Sequence, residues 1–316
     1  EAVTATMSGH HDAGLRGADT DGNTESLGVH TNSSFSVSLS ETTDGGVGIS
    51  TSFMLANETD GGLHTAGFTL TFTDGSKIDV LNGGNAAKSH DISVPGGAGK
   101  ATGITLTSTN MAQTGLDFFG EDSGIGFEWH SAADFMADGL KISASYSADN
   151  AAAAGASTKL DSSWGLGATY VTDAGDTAIT IGAGLADSDF KDSPGPLPTN
   201  NSNGMHVGFS AVTGDLTVAA GYADGDKVAV GSSTNGEAEI ADNTVTKVGV
   251  KYVTGDLTLS AGFTAAEGKD SDTMGTKGTT VDSQDVTDAG VSYAVASGVT
   301  ANIGWKDTSS SDEGSS

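Results

Sequence analysis

The sequence has no cysteine, only four prolines, and one arginine among thirteen basic residues. Without cysteine there is no disulfide framework and no thiolate metal site. Aromatic residues are scarce at 6%, and apolar residues make up only 36%. A soluble domain carries roughly 45–50% apolar residues. A closed core is therefore out of reach for 316 residues, unless one face of each element is apolar and the other is wet. No run approaches the roughly 18 apolar residues that mark a transmembrane helix. That does not exclude a membrane, because barrel strands conceal their hydrophobicity in alternation. With 41 acids against 13 bases, the net charge of −28 argues against a nucleic-acid partner. There is no basic-then-apolar leader, so Glu1 reads as a mature N-terminus. Neither a GxSxG elbow nor an HExxH pair occurs.

What is abundant is glycine, at 47 residues, together with serine and threonine, a composition that favours an all-β chain. One device is used twice, "VTGDLTVAAGY" at 212–222 and "VTGDLTLSAGF" at 253–263. In each copy Thr-Gly-Asp makes a tight turn, since glycine takes positive φ cheaply and aspartate bonds its own backbone. The residues after the turn alternate: Leu216, Val218, Ala220 and Tyr222 on one side, Thr217, Ala219 and Gly221 on the other. A period of two is the mark of a strand whose faces meet different surroundings.

The same template along the chain predicts fifteen strands, at 2–16, 28–41, 46–57, 63–73, 75–82, 124–131, 140–148, 162–172, 176–186, 204–212, 215–223, 244–253, 256–265, 286–296 and 298–306. Short connections such as "TTDGG", "TDGS" and "TDAGD" alternate with polar ones that, except for 58–62, are much longer. All short turns then lie at one end, as in a transmembrane β-barrel with periplasmic turns and external loops. Aromatic residues agree with this sidedness. Outward-facing Tyr146, Trp164, Tyr222, Phe263 and Trp305 fall near external strand ends, and Tyr170, Tyr252 and Tyr293 near the other. Two belts are what amphipathic rings form at membrane interfaces. The lipid-facing set should include Val37, Ile49, Phe68, Ile142, Ile181, Val218, Val250 and Ile303.

The first 90 residues resemble the trimeric general porins of alphaproteobacteria. The likeness rests on "EAVTATMSGHHDAGL", then "SVSLSETTDGGVGISTSF", then "HTAGFTLTFTDGSKIDVLNGG", in that order. It implies an all-β fold, an antiparallel transmembrane barrel of about 16 strands, in a homotrimer of the bacterial outer membrane. It implies a single domain over 1–316, with the third external loop, 83–123, folded inward to constrict the pore. It also implies a trimer interface formed by the first strands and the short loop Asn57–Gly62, where Val3, Ala5 and Val47 are small enough for close contact. Only fifteen strands are visible, and an open edge at membrane depth is not viable. The closing strand is expected beyond the end of the sequence, with Asp307–Ser316 as an eighth external loop. The other option is a strand hidden in 99–110.

The resemblance places acids on the inner loop opposite bases on the wall. Here these are Asp91, Asp117, Glu121 and Asp122, facing His10, Arg16, His30 and Lys77. They could equally be ordinary lumen residues away from the narrowest point. The expected activity is a water-filled, cation-preferring diffusion channel for small hydrophilic solutes, not an enzyme. Lipid and lipopolysaccharide are the expected surroundings. "DTDGNTE" (Asp19, Asp21, Asn23, Glu25) spaces its oxygens as a calcium loop could, although it lacks a full EF-hand. Apart from calcium on acidic loops, no cofactor is expected. "PGGAGKATG" at 95–103 lacks the first glycine and the hydroxyl of a phosphate loop. "DGGVGIS" at 44–50 lacks the tandem array of a calcium β-roll. His10 and His11 are adjacent in a strand and point to opposite faces. His206 and Ser210 share a face but have no evident orienting acid. Two other classes stay open: a substrate-specific uptake channel, which needs aromatic lumen rows, and an acidic all-β surface adhesin.

Overall fold

The computed structural model describes residues 3–18, 26–57, 60–65, 67–82, 86–96, 125–148, 159–191, 200–229, 239–269 and 281–312. These form one antiparallel sheet of sixteen strand segments. The first half comprises β1 (Thr4–Ala18), β2 (Ser26–Thr42), β3 (Gly48–Asn57), β4 (Asp60–Thr65), β5 (Phe68–Thr71), β6 (Lys77–Asn82), β7 (Ile125–His130) and β8 (Leu140–Ala148). The second comprises β9 (Lys159–Ala174), β10 (Thr177–Lys191), β11 (Asn200–Thr213), β12 (Leu216–Ala229), β13 (Glu239–Thr254), β14 (Leu257–Lys269), β15 (Val281–Ala296) and β16 (Val299–Asp312). Each strand pairs with its neighbour in sequence, except that β4 and β5 both pair with β3. They are one strand interrupted at Gly67, whose φ is +71°. That leaves fifteen positions across the sheet, as the alternation predicts. Among the described residues no ladder joins β1 to β16.

The repeated device folds as its sequence dictates. Gly214–Asp215 and Gly255–Asp256 are two-residue loops between strands. Gly214 has φ +55° and Gly255 has φ +57°, whereas neither aspartate is in the positive region. Positive φ at the first loop position alone is the type II′ arrangement, whose twist matches that of the flanking strands.

The register sorts residues onto two faces. One outer row runs Ile142–Ala168–Ala183–Val207–Tyr222. All eight expected lipid-facing residues lie on this face, and Ile303 is 76% exposed on it. The aromatic residues flank the apolar band as expected: Tyr146 pairs with Trp164 at one end, and Tyr252 pairs with Leu216 and Leu259 at the other. The inner face carries Ser, Thr, Gly and Ala. One of its rows runs Lys141–Thr169–Gly182–Gly208–Gly221–Lys247.

Several strands extend further than the alternation alone suggests. β12 continues to Ala229 and β15 begins at Val281. The stretch read as an eighth external loop is instead strand as far as Asp312, paired with β15 through Ser283–Ser311 and Asp282–Asp312. Backbone pairing carries these polar segments beyond the apolar band, where hydropathy no longer reports the strand.

Candidate functional site: the inner wall and the third connection

The described part of the third connection, 86–96, lies against the inner face of the sheet. It opens with a short 3-10 turn, Lys88–His90, and continues extended. Ala86 and Ala87 are fully buried there, and Ile92 nearly so. Ala87 packs with Ala186 of β10 and Ala223 of β12. Val245 of β13 and Val286 of β15 are likewise buried at inward positions.

The close fit depends on wall glycines. A Cβ on residue 167 would stand 2.2 Å from the Ala86 carbonyl oxygen, and one on residue 182 would stand 2.2 Å from that of His90. At Gly249 the distance to the Pro95 carbonyl oxygen would be 1.8 Å. Gly184, Gly208 and Gly262 leave room in the same way for Ala87, Ile92 and Gly96. The segment therefore lies in a track of bare backbone that crosses β9 to β14. A close backbone approach of this kind is one of the reasons for glycine within a strand.

Hydrogen bonds fix the segment along the track. The Ala86 N–H donates to Ser145 Oγ at 2.9 Å. His206 Nε2 lies 2.6 Å from the Ala87 carbonyl oxygen and so donates to it. Ser89 Oγ donates to Glu128. His90 places Nδ1 2.6 Å from Thr169 Oγ1 and Nε2 2.8 Å from Ser143 Oγ. Ser143 Oγ is also 2.8 Å from His130 Nδ1, and His130 Nε2 is 2.9 Å from Asp79 Oδ2. Thr69 donates to the other Asp79 oxygen.

With both imidazoles neutral, one assignment uses every group once. Asp79 is an acceptor only, so His130 Nε2–H donates to it and His130 Nδ1 accepts from Ser143. Ser143 then accepts from His90 Nε2–H, and His90 Nδ1 accepts from Thr169. Asp79, His130 and Ser143 thus stand in series as in a nucleophilic site, but Ser143 is only 1% exposed beneath His90. A hydroxyl sealed under a ring cannot attack a substrate, so the chain of groups holds the loop.

Charge is sorted by face. Every strand lysine with a described side chain points inward: Lys77, Lys141, Lys247, Lys251 and Lys306. Inward strand acids with described side chains are Asp79, Glu128, Asp173 and Asp288. Asp187, Asp224, Glu267, Asp285 and Asp307 lie on the outer face, towards the strand ends that carry Trp164 and Tyr222. Tyr222 donates its hydroxyl to Asp224 at 3.0 Å. An apolar band bounded by aromatic rings and then by carboxylates, around a polar inner face with a loop segment laid along it, is the design of an outer-membrane channel.

A sequence profile described as Gram-negative porin matches residues 2–313. The chain belongs to the Gram-negative porin family. No curated protein matches it by sequence. Among solved structures, a porin refined at 1.8 Å resolution has a TM-score of 0.64 at 16% identity, over 96% of this chain and 94% of its own. OmpT of Vibrio cholerae in its trimer form gives 0.61 at 16% identity, over 98% and 90%. A variant of the Rh. blastica porin gives 0.58 at 18% identity, over 98% of each chain. This porin is thus a channel protein of the bacterial outer membrane, and the resemblance read from its first 90 residues holds at the level of the family.

The residues expected at the pore are placed as follows. Asp91 ends the 3-10 turn, exposed, with Oδ1 3.8 Å from His206 Nδ1. His10 lies exposed on the inner face of β1, its Nδ1 2.7 Å from Ser34 Oγ. Lys77 is on the inner face of β6, opposite His130. Arg16 pairs with Gly28, and His30 with Gly14; the side chains of both lie outside the described residues. So do Asp117, Glu121 and Asp122, the strand considered at 99–110, and the loop of Asp19, Asp21, Asn23 and Glu25. No cluster of three metal-ligating side chains occurs among the described residues. The His206–Ser210 pair serves no triad: His206 is buried on Ala87.

Sequence reasoning did not find His90, His130, Glu128 or Ser143, nor the role of the glycines. Their recurrence at inward positions of six successive strands was the signal of something lying upon them.

Proposed function

We propose that this porin is a general diffusion channel for small hydrophilic solutes, cation-preferring and assembled as a homotrimer. The observation that carries the reading is the inner wall. Its described side chains include no phenylalanine, tyrosine or tryptophan, so an aromatic slide for one substrate has no support among them. Loop residues 86–96 cover β9 to β14, whereas Thr6, His10, Thr300 and Asn302 on the remaining wall are exposed. An aqueous path along hydroxyls and glycines discriminates by size and charge more than by shape.

Cation preference rests on the −28 net charge and on Asp91, Asp117, Glu121 and Asp122 in the third connection. Charges in a narrow wet passage with low-dielectric walls are poorly screened. The wall lysines oppose that preference, and the loop carboxylates must outweigh them. The trimer is supported by the trimer form of the Vibrio cholerae neighbour and by small outward residues such as Val3 and Ala5. The outer carboxylates beyond the aromatic belt, and the Asp19–Glu25 loop, would hold divalent cations that bridge to lipopolysaccharide phosphates.

Planar-bilayer recording tests the channel: stepwise insertion of ohmic units is expected, and silent membranes would refute it. The reversal potential in a salt gradient tests ion preference separately. A heat-labile larger band on a mild-detergent gel tests the trimer.

A further inference from the structure

We propose that His90 is a positioning residue of the channel: neutral, it seats the third connection on the wall and keeps the bore open, and its protonation unseats the segment and narrows the passage. This rests on the reading of the chain as a diffusion channel.

His90 is the one ring of the described segment that enters the wall, and it is 6% exposed. Its two nitrogens engage two strands, through Ser143 of β8 and Thr169 of β9. Beneath it lie Gly167 and Gly182, and a Cβ on residue 167 would stand 2.4 Å from His90 Cδ2. With bare backbone below, a displaced segment has only the lumen to move into. Lifting it therefore obstructs the pore.

The groups around the ring disfavour a proton. From β7 it faces Glu128, which accepts from Ser89, and His130, which is engaged with Asp79 of β6. From β8 it faces Lys141, and from β11 His206. Lys77 lies at the far side of His130. Lys88 and Asp91 flank it on its own segment, and Asp91 is nearest in charge to His206. Among the described residues no carboxylate bonds the His90 ring directly. Burial, and then His130, His206 and Lys141, push its pKa from 6.5 down to about 4.

A depressed histidine pKa in the seated form means that the unseated form binds protons more readily. The seated form has its full advantage above the free value near 6.5. That advantage declines as pH falls towards about 4 and is constant below. Over this window the seated-to-unseated ratio falls by roughly tenfold per pH unit.

The test is single-channel recording of the full chain at high salt, which screens the lumen charges, from neutral pH down to about pH 4. The wild type should spend progressively more time in a reduced-conductance state as pH falls. His90→Gln keeps hydrogen-bonding atoms but cannot take the proton, so the acid-dependent state should disappear while carboxylate titration remains. Lys141→Met removes a cation that disfavours the proton on seated His90, so the transition should move to lower pH and lose amplitude, which tests the idea even if the glutamine variant does not assemble. Liposome swelling with a neutral sugar should show the same acid transition, since charge selectivity does not act on that solute. An acid transition unchanged in either variant, or none in the wild type, overturns the assignment while leaving the channel reading intact. Absence of conductance at neutral pH in the wild type refutes both.

Discussion

The Pro95 carbonyl oxygen occupies the place that a side chain on Gly249 would need, 1.8 Å from the Cβ position. The far end of the seated segment is thus defined by an atom that the wall does without.

Gly249→Ala should therefore push the Pro95 end of the segment off β13. Overpacking of this kind costs about 1–3 kcal/mol, and the strain is relieved by movement into the lumen. A lower unit conductance than that of the parent is expected in planar bilayers. Gly14→Ala is the control, because nothing lies within 4 Å of its Cβ position. Equal conductance in all three proteins would show that the segment does not set the bore.

Replacing Asp117, Glu121 and Asp122 together with Asn and Gln should move the reversal potential towards zero. The shift should be largest at low salt, where the Debye length approaches about 30 Å. An unchanged potential would assign the acidity to the external surface.

Lys247 and Lys251 project from β13 into the lumen. Changing both to Gln removes cationic charge from the wall, so the reversal potential should move further in the cation direction. A shift of the opposite sign would mean that the register-based sorting of charge does not govern permeation.

Gly255 turns the β13–β14 hairpin at φ +57°. A non-glycine residue held there costs about 1–3 kcal/mol. Gly255→Val should lower the yield of heat-resistant folded barrel on gels, without changing the conductance of the channels that do form.

Most of the sheet was legible in the sequence because lipid and water impose a strict two-residue alternation. Leu216 to Tyr222 and Leu257 to Phe263 could be assigned to a face without coordinates, and the two-residue turns announced themselves through Gly-Asp. Strand ends were not legible. At Val281–Asp285 and Asp307–Asp312 the backbone still pairs, but both faces are polar and alternation loses its contrast. The seam was harder still. Asp79 and His130 are 51 residues apart, and His90 and Thr169 are 79. No local pattern encodes such meetings, and a glycine chosen to admit a neighbouring backbone looks in sequence like one chosen to leave a pore wide.

The ladders and the seam also differ in how far apart their partners lie along the chain. Ladders join consecutive strands, so each hairpin closes a short stretch of chain. The bond from His206 to Ala87 spans 119 residues, and its acceptor has nowhere to dock until β9 to β11 have formed. Closing a long loop costs entropy that only the finished wall can offset. Docking of the third connection is therefore expected as the last event in assembly, after the sheet has formed. Refolding followed in parallel by circular dichroism and by onset of conductance would separate the two events: β signal should rise first, and full conductance should arrive only when the segment settles onto its glycines.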